Sequence, residues 1–166
     1  MTLNDILAYL YESALATAIR ESNAFPWIEA LHVIAIVTVT GTIAIVDLRL
    51  LGVPAHKRSA RRLMAELLPF TWVAFATALV SGSLLFISNA PAYAHNAQFQ
   101  VKMILIILAG LNMALFNVIT SRTLHSWDES PSAPNAGKIA GLCSLALWTG
   151  IIFFGRWIGF TLDNFG

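Results

Sequence analysis

With 57% hydrophobic residues and 11% charged ones, this 166-residue chain has far less charge than the roughly 25% of an average soluble domain. Its mean hydropathy of +0.71 excludes a water-facing globule. Ten Lys and Arg against nine Asp and Glu leave a formal net charge of +1, which hides an uneven distribution whose basic loop reads as a topology signal rather than as a nucleic-acid or lipid contact.

A hydrocarbon core of about 30 Å needs roughly 20 helical residues, and four stretches meet that length, near 27–51, 67–88, 99–121 and 138–160. The expected fold is all-α, an integral-membrane four-helix bundle forming a single domain over 1–166. Ahead of the first span, residues 2–20 are too polar to cross. Leu3, Ile6, Leu7, Leu10, Ala14 and Ala18 recur at helical spacing there, and Thr2 with Asp5 forms a capping pair. No basic start or cleavage site marks a signal peptide. The segment reads as an N-terminal amphipathic interfacial helix with Tyr9 and Tyr11 near the headgroups, or as a lid over the bundle mouth.

The first span opens on Phe25-Pro26-Trp27, a helix start at an interface. Glu29, His32, Ile36, Thr40, Ile43 and Asp47 follow at three- and four-residue steps, which puts them on one protein-facing stripe with polar ends and an apolar middle. In the second span Pro69 is expected within the first turn, and Ala74, Ala78 and Gly82 form a small-residue track for close helix packing. The third carries Lys102 near one end and Asn112 and Asn117 deeper in, where an asparagine seeks a partner on a neighbouring helix. In the fourth, Gly137 with Gly141 and Gly155 with Gly159 repeat the four-residue spacing, for packing within the bundle or between protomers. Cys143, the sole cysteine, sits inside this apolar run and reads as a small buried hydrophobe.

Charge asymmetry sets the expected orientation. Arg49, Lys57, Arg58, Arg61 and Arg62 collect around the first connection, and Arg122 and Lys138 flank the third, which marks that side as cytoplasmic. Both termini then face outward, the periplasm in a bacterial inner membrane. At the cytoplasmic end Asp47 and Arg49 reach the level of Glu66 and Arg122, with opposite charges available for anchoring. His56 and His125 belong to loops on this side and cannot join His32. Ser126 through Pro134 reads as a linker. No phosphate-binding glycine loop, nucleophile elbow or metalloprotease motif is present, so an enzyme acting by itself is not expected.

Helical rise puts His32 about 7 Å below Trp27 and Arg156 about 6 Å inside Phe160, with Lys102 at a similar depth. Charged groups are costly in hydrocarbon, so Glu29, His32, Lys102 and Arg156 mark the candidate site, with Asn112 as a further contact and His95 in the short outer loop above it. In one reading His32, alone or with His95, ligates haem b or copper, Glu29 accepts from the imidazole, and Lys102 and Arg156 neutralise propionates or an anion. In the other, Glu29 pairs with Arg156 or Lys102 in a buried ionic network that only fixes helix register. Quinone binding is the third option. A two-haem bundle needs several intrahelical histidines, and this chain has one.

The run Pro26-Trp27-Ile28-Glu29-Ala30-Leu31-His32, then Gly41, then Asp47-Leu48-Arg49-Leu50-Leu51-Gly52, resembles an uncharacterised family of small four-helix bacterial inner-membrane proteins. Lys102, Ala109-Gly110-Leu111-Asn112 and Gly155-Arg156-Trp157 extend the likeness. More remotely, an early-helix histidine followed by a glycine-containing apolar stretch is similar to the copper-resistance D membrane family and b-type membrane cytochromes, which implies His32 as a candidate ligand. The function expected is binding of a redox cofactor, copper or quinone in a periplasmic-side pocket, for electron transfer or metal handling with a periplasmic partner. The alternatives are an accessory or anchoring subunit of a larger complex, and a small transporter built as a homo-oligomer.

Overall fold

Exposed apolar side chains run around the whole bundle in the computed structural model. Val33, Ile34 and Val37, Leu79 and Val80, Ile104 and Ile107, and Ile139 and Leu142 are each more than half exposed. In water such a belt would drive aggregation; against acyl chains it is the solvated surface. The structure describes residues 1–53, 59–119 and 133–162, all helix or short connection.

Seven helices are described: α1 (Leu3–Tyr11), α2 (Ala14–Glu21), α3 (Ala24–Leu51), α4 (Ala60–Ser88), α5 (Ala90–His95), α6 (Ala97–Ile119) and α7 (Asn135–Thr161). Four of them, α3, α4, α6 and α7, are long and apolar enough to span a membrane. The all-α membrane bundle is thus the observed architecture. Lateral order is α4, α3, α7, α6: α3 packs along α4 and α7, α6 packs along α7, and α4 and α6 make no extended contact.

The N-terminal segment is two helices rather than one. Ser13 accepts from the Ala16 amide at 3.2 Å and donates to the Leu10 carbonyl at 2.7 Å, so it ends one helix and caps the next. The Thr2–Asp5 capping box starts α1. Leu7, Ala16 and Ile19 bury against α4 and α5, while Tyr9 stays 71% exposed. Arg20 clamps the layer to α4 by donating to the carbonyls of Tyr11 at 2.8 Å and Ser88 at 2.9 Å, with its guanidinium 4.0 Å over the Tyr11 ring.

Three further boundaries depart from expectation. The second span begins seven residues earlier than the expected 67, at Ala60, because Ser59 caps it and Arg62 pairs with Glu66 one turn on at 2.9 Å. Pro69 therefore lies inside α4, not in its first turn, and leaves the Ala65 carbonyl without its ladder partner. His95, expected in a loop, ends the short helix α5, its Nδ1 bonded to the Pro91 carbonyl at 2.9 Å. Gly52 closes α3 at φ 83°, a left-handed cap that favours glycine, with its amide bonding the Arg49 carbonyl. His56, Lys57, Arg58, residues 120–132 with Arg122, His125 and most of the expected linker, and Asp163 lie outside the described residues.

Candidate functional site

The four expected site residues differ in burial. His32 and Lys102 are drawn into the bundle and are half-buried; Glu29 and Arg156 are exposed. Arg156 holds its guanidinium 5.5 Å over the Phe160 ring. Among the described residues Glu29 makes no ion pair with Arg156 or Lys102, so the expected ionic network is absent. One turn of separation puts Glu29 and His32 on the same side of α3 but does not decide which side chains tuck under α4.

The histidine is held by α4. His32 Nδ1 lies 3.0 Å from Ser81 Oγ, and the Ser81 hydroxyl hydrogen is committed to the Thr77 carbonyl at 2.6 Å. In the tautomer that suits this contact Nδ1 donates to Ser81, and the ring also hydrogen-bonds the Ala78 carbonyl one turn before that serine. Ser81, itself 2% exposed, takes the orienting role expected of Glu29. Room for the ring comes from Gly82: a Cβ there would stand 2.9 Å from Cε1 of His32 and 3.8 Å from Nε2.

Lys102 is accommodated in the same way. Its Cδ, Cε and Nζ each lie 3.7 Å from the place a Cβ would occupy on Gly155 of α7, within electrostatic reach of His32. Gly155 thus makes space for a cation rather than for a backbone, and a Cβ on Gly159 would meet nothing within 4 Å. Gly141 does act in packing, because a Cβ there would approach the Asp47 carbonyl at 3.1 Å. The Ala74 and Ala78 track is likewise buried.

Two residues that sequence reasoning passed over brace this end. Asn96, 1% exposed, accepts from the Phe99 amide at 3.0 Å and donates to Thr161 Oγ1 at 2.8 Å, which ties the start of α6 to the end of α7. An asparagine directly before an apolar run was its signal. Tyr93 of α5 joins Phe86 and Phe99 in a ring cluster with centroids 5.4–6.3 Å apart. Burial, with the nearby Glu29 carboxylate adding to it, pushes its phenol above the usual tyrosine range.

Asn112 does not belong to this end. Ten residues beyond Lys102, about 15 Å along α6, it donates to the Ala140 carbonyl of α7 at 3.0 Å and lines a separate cavity with Asp47 and Ser144. Glu66, expected near Asp47 and Arg49, is instead engaged by Arg62. His95 is exposed on α5. Among the described residues no group of three or more His, Cys, Asp or Glu side chains is arranged to hold a metal ion.

A family model described as a family of unknown function, DUF6644, matches residues 23–161, from just before α3 to the end of α7. No curated protein and no solved structure matches the chain. The expected likeness to an uncharacterised family is thereby met, whereas the resemblance to the copper-resistance D family and to cytochromes finds no support in these matches.

Proposed function

The chain belongs to this family of unknown function, and we propose that it is a bacterial inner-membrane protein that binds a quinone between His32 and Lys102. The observation that carries the reading is the pairing of an imidazole held by Ser81 and an ammonium in a half-buried setting. An electron-rich carbonyl oxygen would accept from Lys102 Nζ, and the hydroxyl of the reduced form would donate to His32 Nε2. The same ammonium repels a bare metal cation, which weighs against copper at His32. Haem b fits less well, because α3, α4, α6 and α7 supply one histidine among their residues.

Orientation belongs to the same proposal. The basic groups Arg61 and Arg62 at the start of α4, with Lys57 and Arg58 before them, favour the cytoplasmic side for that end. The α1/α2 end would then face the periplasm, where a redox partner could exchange electrons with the bound quinone.

Titration of the detergent-purified protein with a short-chain benzoquinone tests the reading. Binding is expected to weaken at least about tenfold in both Lys102→Gln and His32→Ala, roughly 1.4 kcal/mol. No binding by the wild type would overturn it. A Soret band lost in His32→Ala would replace quinone by haem, bound copper would restore the metal reading, and stoichiometric co-purifying proteins without a ligand would favour an accessory subunit.

A further inference from the structure

At the opposite end of the bundle the four spanning helices enclose a cavity of about 270 Å³. It lies where α4 and α6 fail to close on each other, and its volume is just under the roughly 300–1,000 Å³ of ordinary small-molecule sites. Most of its wall is apolar, with aromatic rings from three helices: Trp72 and Phe75 of α4, Phe116 of α6 and Trp148 of α7.

One ionisable side chain stands in that wall. Asp47 of α3 is 5% exposed, Ser144 of α7 hydrogen-bonds its carboxylate, and its Oδ2 has no hydrogen-bond partner among the described residues. Among the described residues no Lys, Arg or His lines the cavity, so nothing inside it offsets a carboxylate charge. A carboxylate held in an apolar enclosure is strongly disfavoured unless a cation or a proton meets it. Arg49, two residues on, is buried as well but is not part of the cavity wall.

We propose that this cavity is a binding site for a compact lipophilic organic cation, an ammonium carried on an apolar body. The ammonium pairs with Asp47, and the aromatic rings in the same wall offer the attraction that quaternary nitrogen finds over Trp and Phe. The apolar body fills the remaining wall, and entry is lateral, through the gap between α4 and α6. The site is distinct from the His32–Lys102 pair, which lies about four helical turns away along α3, at roughly 1.5 Å per residue from His32 to Asp47.

Gly110 supplies a test that leaves Asp47 untouched. It lines the cavity, and a Cβ added there meets no atom within 4 Å, so a larger side chain can be placed at this wall without a clash at its first atom. The probe is phenyltrimethylammonium, with tert-butylbenzene as its uncharged isostere. Binding is read by quenching of tryptophan fluorescence, since Trp72 and Trp148 are in the wall.

The wild-type protein in detergent should bind the cation at least about tenfold more tightly than the isostere. Asp47→Asn should abolish that preference while leaving the isostere's affinity unchanged, and Gly110→Leu should weaken both ligands with the fold intact by circular dichroism. His32→Ala should alter neither, so loss of quinone binding and loss of cation binding remain separable. Equal affinity of the two probes for the wild type, or a charge preference that survives Asp47→Asn, would overturn the proposal. So would failure of the wild type to bind the cation at all.

Discussion

The two ends of the bundle treat their buried polar groups in opposite ways. At the α1/α2 end polar groups are tied from helix to helix: His32 to Ser81, Asn96 to Thr161, and the carbonyl of Ser88 to Arg20. Glycines are placed where His32 and Lys102 need volume. At the other end Asp47 has an oxygen with no partner among the described residues, and the helices around it part to leave a cavity. Matched groups set register and orientation, and an unmatched carboxylate calls for a proton or a cation. Rarity of charge along the sequence marked both ends alike and could not separate these roles.

Substitutions at glycine give the sharpest way to break this contrast. Gly82→Ala forces a methyl against Cε1 of His32, so either the ring or α4 must shift; we expect a loss of about 1–3 kcal/mol of stability, read by thermal unfolding in detergent. Gly110→Ala faces open space at the other end and should be neutral or stabilising by up to about 1 kcal/mol, as for glycine replaced within a helix. Equal costs at both positions would mean that the two ends are packed alike.

Next in size is Asn96→Ala. It removes both the cap of α6 and the bond to Thr161, with an expected cost of about 1–2 kcal/mol. Hydrogen exchange should quicken at the amides of Phe99 and its neighbours but not around Asp47.

The smallest effect concerns pH. Because the Tyr93 phenol in the folded protein titrates above its ordinary value of 10.0, the folded state keeps a proton that the unfolded chain has begun to release. Stability is full below about pH 10 and falls as pH rises above it, through the folded-state value. Tyr93→Phe should flatten the alkaline limb of a stability profile, and an unchanged limb would place the phenol in contact with water.

Much of the fold was legible because hydrocarbon imposes a simple rule on sequence. Length and apolarity near 27–51, 67–88, 99–121 and 138–160 located all four spanning helices, and the Thr2–Asp5 pair located the start of α1. Ends were harder to read, since Ser59 and Ser13 act through single hydrogen bonds that hydropathy does not register. The site was legible only in part. Placing His32 and Lys102 together was within reach of helical rise and alternating topology; placing Glu29 and Arg156 outside was not.

Sequence by itself determined that the chain is a membrane bundle and where ionisable groups are rare enough to matter. Those properties depend on rise per residue and transfer into lipid, both local quantities. Tertiary structure alone decided that Ser81 rather than Glu29 orients His32, that glycines on two other helices shape the space around His32 and Lys102, and that α4 and α6 stand apart beside Asp47. Each of these depends on the rotation of one helix about its axis relative to the next, and that rotation is set by packing between segments distant in sequence.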